Sequence, residues 1–173
     1  MILTISGPSG SGKTTLLGNL RRAIPDTHPL ESITTRPPRA SDQPGEYLYV
    51  SDNKFREIAN NSELLWHVKI GDYNYGTRKK NVDEALGAGF NVAILEIGAA
   101  QTLHEYAAQK NKLRLVRGIY LFLDDEHVLL RRMKKRGGLS QDDLARRLNE
   151  GREWNKTAFK NGFFRKIDVL RLN

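Results

Sequence analysis

The sequence has no cysteine, so disulfides, zinc–thiolate sites and thiol nucleophiles are excluded. No apolar run approaches the roughly 18 residues of a membrane-spanning helix. The apolar stretch near the N-terminus, Ile2 to Ile5, is too short for the apolar segment of a signal peptide, which makes the expected location cytoplasmic. Internal repeats and low-complexity linkers are also missing, so 173 residues read as one domain. Acidic residues are the minority: 20 Asp and Glu against 28 Lys and Arg leave a net charge of +8, which calls for an anionic partner. The basic clusters (Arg36 and Arg39, Arg78 to Lys80, Arg131 to Arg136) are not interleaved with aromatic residues as an oligonucleotide groove requires. Small phosphorylated ligands are therefore favoured over nucleic acid.

The hydrophobic pattern alternates between strand and helix. Met1–Ser6 reads as a buried strand, and Lys13–Ala23 as a helix with Leu16, Leu17 and Leu20 on one face. Residues 30–50 read as short strands and turns, and Phe55–Ala59 and Asn81–Leu86 as short helices. Phe90–Ile97 and Gly118–Leu123 are apolar enough for strands buried on both faces. Helices are expected over Ala99–Gln109, Asp125–Lys135 and Gln141–Trp154, and a last strand over Ile167–Leu172. This alternation predicts an α/β fold with a mostly parallel central sheet flanked by helices.

The most specific signal is Gly7-Pro8-Ser9-Gly10-Ser11-Gly12-Lys13-Thr14, the spacing GxxxxGK[ST] between an apolar strand and an amphipathic helix. Glycines let successive backbone N–H groups turn inward onto phosphate oxygens, and the helix presents its positive end to the same anion. Gly7 to Thr15 are accordingly the expected ATP-binding residues. Lys13 reaches the β- and γ-phosphates, and the Thr14 hydroxyl is placed to ligate Mg²⁺.

Two further stretches resemble the guanylate kinase family. Ser32-Ile33-Thr34-Thr35-Arg36-Pro37-Pro38-Arg39 with Gly45-Glu46-Tyr47 is similar to that family's substrate-phosphate segment, and Tyr73-Asn74-Tyr75-Gly76-Thr77 to its tyrosine–glycine motif. With the phosphate loop, these keep order and spacing from residue 1 to about residue 153. The resemblance implies that Arg36, Arg39, Tyr47 and Tyr75 hold the acceptor's phosphate, that Ser32 and Glu96 belong to the acceptor site, and that Arg132, Arg136 and Arg147 come from a closing lid. It further implies a P-loop kinase fold with a core (1–30, 82–125, 155–173), an acceptor-binding region (31–81) and a lid (126–154). Physical chemistry agrees: two arginines three apart offer planar donor forks to one phosphate, and lid arginines stabilise the charge of a transferring phosphoryl group. No general base is needed, because the acceptor phosphate is already anionic.

Two departures bear on the acceptor. Counting back from Tyr75 places Trp66 where the family has a guanine-reading glutamate, with Glu63 and Asp72 the nearest acids. The strand ending Leu95-Glu96-Ile97-Gly98 keeps the first acid of the family's Asp-x-Asp and replaces the second with Gly98. Trp66-His67 also resembles ribose 1,5-bisphosphate phosphokinase, a relative acting on a sugar phosphate. The family's usual C-terminal helix has no counterpart after the last expected strand, and the resemblance then implies weaker packing or self-association as an expectation. The expected function is ATP-dependent phosphorylation of a nucleoside monophosphate, GMP or dGMP by default. A kinase for another phosphorylated metabolite and a non-catalytic binding module are the alternatives. The intact Lys13-Thr14 pair argues against the second.

Overall fold

The computed structural model describes residues 1–40, 42–160 and 162–168. Five strands form a parallel sheet in the order β2 (Thr27–Pro29), β7 (Phe90–Ile94), β1 (Ile2–Ser6), β8 (Val116–Phe122), β9 (Phe164–Asp168). β1 is central because Ile2 and Ile5 are fully buried and can be covered on both faces only there. Helix α1 (Lys13–Ala23) covers one face, where Leu17 meets Ile5, Val92 and Leu121. Helices α3 (Lys79–Ala85) and α4 (Ile97–Gln109) cover the other, where Val82, Leu103 and Ala107 pack with Ile2, Ala93 and Tyr120. The α/β prediction holds.

The second sheet, β4 (Tyr47–Tyr49), β3 (Ser32–Thr34), β6 (Tyr73–Arg78), β5 (Leu64–Ile70), is mixed. Its two-residue period divides the side chains between two faces, with one irregularity between Leu64 and Trp66 that turns these two residues to opposite sides. Ser32, Thr34, Tyr47, Tyr75, Thr77, Trp66, Val68 and Ile70 are cross-strand partners on one face. On the other, Ile33 and Leu64 pack under Phe55 and Ile58 of α2 (Asp52–Asn60). Gly76 belongs to this second face. A Cβ there would lie 3.0 Å from both Leu64 Cδ1 and the Trp66 carbonyl, so the close packing of strand and helix accounts for the glycine.

Helices α5 (Glu126–Arg136) and α6 (Gln141–Thr157) form an antiparallel pair closed by Leu129, Met133 and Leu144. Asp125 and Ser140 cap their N-termini by accepting from Val128 N and Asp143 N.

Several elements differ from the sequence pattern. β7 stops at Ile94 instead of Ile97, because the Glu96 carboxylate accepts from Gly98 N (2.9 Å) and Ala99 N and starts α4 at Ile97. The last strand starts at Phe164, three residues before the expected Ile167, so that Phe164 can enter the core; residues 169–172 lie outside the described residues. The sequence pattern assigned no strand to β5 and named β6 only as the tyrosine–glycine motif, yet they form the longest pairing of the second sheet.

Candidate active site

The phosphate loop lies at the carboxyl end of β1, where a doubly covered parallel sheet leaves its crevice. Gly10 and Gly12 hold φ of 86° and 103°, left-handed conformations that turn the backbone tightly between β1 and α1. Gly7 is required for closeness as well: a Cβ would fall 2.6 Å from the Leu121 carbonyl. The Lys13 ammonium folds back and donates to the carbonyls of Gly7 (2.7 Å) and Pro8 (2.9 Å).

The helical pair closes over this loop. Arg132 donates to the Gly10 carbonyl (3.1 Å) and Arg147 to Ser9 Oγ (3.1 Å), while Gly151 approaches so near that a Cβ would lie 3.1 Å from Pro8 Cβ. A cavity of about 980 Å³ runs from the loop to the inner face of the second sheet. Every expected site residue outside the loop lines it: Ser32, Arg36, Arg39, Tyr47 and Tyr75 from the second sheet and the turn beside it, Glu96 from the start of α4, and Arg132, Arg136 and Arg147 from α5 and α6. Ser9 to Thr15 form the third wall. Arg131 and Lys135, the neighbouring basic residues of α5, are exposed.

The electrostatics call for an anion. Lys13 is driven down to about pKa 7 by burial first, then by Arg136 and Arg147. Arg147 is lowered as well, by burial and then by Arg146 and Arg39. Ser11 Oγ, Arg36 Nε and Arg147 Nε are buried with no hydrogen-bond partner among the described residues. Such orphaned groups are costly in a finished interior, and their placement around one cavity fits phosphate oxygens arriving from outside the chain. These observations yield a pH prediction. Phosphate binding raises the Lys13 pKa from about 7, so Mg-ATP binding at about pH 8 takes up roughly one proton per site and almost none at about pH 6. Affinity therefore falls as pH rises above 7. Calorimetry in buffers of different ionisation enthalpy reads the proton directly; equal heats in all buffers at the higher pH contradict the assignment.

Sequence reasoning missed two acids of the acceptor side. Asp42 forms an ion pair with Arg36 at 2.9 Å, and Glu46 is buried, accepts from Gln43 N and is pushed up by burial. The signal was the placement of Asp42 three residues after Arg39 within the Pro-rich turn. Glu96, expected at the acceptor site, lines the cavity but spends its carboxylate on the N-terminus of α4. Ser32 Oγ is hydrogen-bonded to Thr77 Oγ1 at 2.8 Å.

The guanylate kinase family model matches residues 1–161. The guanylate kinase of Photorhabdus laumondii is 31% identical over 150 residues, a match spanning 84% of this chain and 70% of that protein. Those of Chlamydia abortus and Lactobacillus acidophilus are each 36% identical, covering 84% and 88% of this chain and 68% and 73% of their own lengths. The crystal structure of guanylate kinase from Anaplasma phagocytophilum superposes with a TM-score of 0.61 at 18% identity, over 97% of this chain and 76% of that one, a likeness of fold.

Proposed function

The chain belongs to the guanylate kinase family, and we propose that it transfers the γ-phosphoryl group of Mg-ATP to the phosphate of a nucleoside monophosphate, with GMP or dGMP as acceptor. The observation that carries this reading is the single cavity with cationic and orphaned donors at both ends, joined by the lid. The triphosphate takes the loop of Gly7 to Thr15, and the acceptor phosphate takes Arg36, Arg39, Tyr47 and Tyr75. The transferring group then lies between Lys13 and the lid arginines.

Thr14 lines the cavity next to Lys13, and no group of three or more His, Cys, Asp or Glu among the described residues is arranged to hold a metal. A hydroxyl with phosphate oxygens and water suits Mg²⁺, a hard cation that keeps much of its hydration, so Thr14 is the residue that would hold it. Bound there with ATP, the ion neutralises charge on the β- and γ-phosphates. The protein's own contribution is positioning: Tyr47 and Tyr75 lie with ring centroids 6.2 Å apart, and burial followed by Glu46 raises the Tyr47 hydroxyl pKa, so it stays a neutral donor.

The test is ATP consumption in the presence of GMP, dGMP, AMP, UMP, CMP and ribose 1,5-bisphosphate. Turnover with GMP supports the reading; no turnover with any of them removes it. The lid adds a second expectation. Arg147→Ala and Arg136→Ala lower kcat by ~10² or more and leave acceptor KM within a few-fold, because these groups meet charge that develops in the transition state. A rise in acceptor KM alone, measured by steady-state kinetics, would place them at the acceptor instead.

A further inference from the structure

The Pro-rich turn carries a residue that neither the phosphate loop nor the lid accounts for. Arg36 is 3% exposed, and a guanidinium so deeply placed needs a fixed counter-charge. Asp42 supplies it. Arg36 Nη2 donates to Asp42 Oδ1 at 3.0 Å and Oδ2 at 2.9 Å. The same carboxylate accepts from the Arg39 backbone N–H (2.7 Å) and the Tyr49 hydroxyl (2.7 Å). Burial opposes the ionised form of Asp42, but the hydrogen bonds from Tyr49, Arg39 and Arg36 outweigh it and hold the carboxyl below its ordinary range.

Two further contacts hold the guanidinium. Nη1 donates to the Pro37 carbonyl at 2.7 Å, and the group lies 5.2 Å from the centroid of the Tyr47 ring. Nε is left as a buried donor with no partner among the described residues.

We propose that Asp42 is the positioning residue of the acceptor-phosphate site, clamping the Arg36 side chain and the Arg39 backbone into the geometry that receives the phosphate. This rests on the reading of Arg36 as a phosphate ligand. A carboxylate this close also repels an incoming phosphate, so a rival role exists: an internal anion that the acceptor must displace. The bonds favour a fixture. One of the donors is a backbone amide that no phosphate can carry away, and losing Asp42 would leave a buried cation unpaired. Pre-organisation of this kind contributes affinity by removing the ordering cost from the binding step.

The two roles predict opposite signs. With Asp42→Asn, acceptor KM is expected to rise by roughly tenfold or more, with ATP KM unchanged and kcat within a few-fold. Tyr49→Phe, which removes one bond to the same carboxylate, is expected to raise acceptor KM in the same direction by less. In an Arg36→Ala background, Asp42→Asn has little left to act on and moves acceptor KM by less than about threefold. A fall in acceptor KM, no change, or an equal effect in both backgrounds overturns the proposal. If Arg36→Ala itself leaves acceptor KM unchanged, the phosphate-ligand reading fails with it; if Arg36→Ala raises KM and Asp42→Asn does not, only the clamp fails.

Discussion

Lys13→Met is expected to lower kcat/KM for ATP by ~10³ or more while raising the melting temperature of the ligand-free protein. Both halves come from one geometry. The ammonium is the cation nearest the incoming phosphates by its place at the loop–helix junction, and without them it is crowded by Arg136 and Arg147. Its pKa in the folded state, about 7, is below the ordinary 10.5. The unfolded chain therefore binds the proton more tightly, and the penalty on folding is fully present below about pH 7. It is relieved as pH rises from about 7 to 10.5. The gain in melting temperature should accordingly be larger at about pH 6 than at about pH 9 when followed by circular dichroism. Turnover close to wild type, or a variant whose melting temperature falls at the lower pH, would contradict the role. The site trades stability for anion binding, as functional sites commonly do.

The strain at Lys13 was not visible in the sequence, although the loop was. Glycine spacing and the apolar strand before it are local properties, and they specify a phosphate cradle without reference to the rest of the chain. The same holds for β1, β7 and β8, whose apolar runs are long enough to be buried on both faces. What escaped was set by tertiary contact. The Trp66-His67-Val68-Lys69-Ile70 alternation of β5 was legible as a strand, whereas in β6 the face turned to the same side is Tyr75 and Thr77, so there the period is hidden by the site itself. The Asp42 clamp brings a carboxylate back onto a guanidinium six residues earlier across two prolines, a path that composition does not reveal. Glu96 was legible as a strand-end acid, but its bonds to Gly98 N and Ala99 N follow from where α4 begins.

At the acceptor's non-phosphate half, modest discrimination between bases is the expected result. Trp66, Val68 and Ile70 of β5, with Leu95 and Ala99, give the cavity an apolar wall. Reading guanine requires acceptors opposite its N1–H and amino group, for which a carboxylate is best suited. The acids that could supply one are engaged or remote: Asp42 pairs with Arg36, Glu46 accepts from Gln43 N, and Glu150 pairs with Arg146. Glu63 pairs with Arg78 at 3.3 Å, and Asp72 lies at the exposed turn between β5 and β6. Glu96 caps α4, and Gly98 permits this: a Cβ at residue 98 would lie 2.8 Å from Glu96 Oε1. The glycine that removes one carboxylate thus also keeps the other turned onto the helix. A site that hydrogen-bonds its substrate rejects analogues by ~10⁴-fold, whereas an apolar site manages ~10²-fold. The ratio of kcat/KM for GMP to that for AMP is therefore expected below ~10³, with IMP close to GMP, under identical magnesium and salt. A ratio of ~10³ or above would mean that Glu96 leaves its cap to read the base. In that case Glu96→Gln should collapse the preference while sparing turnover with AMP.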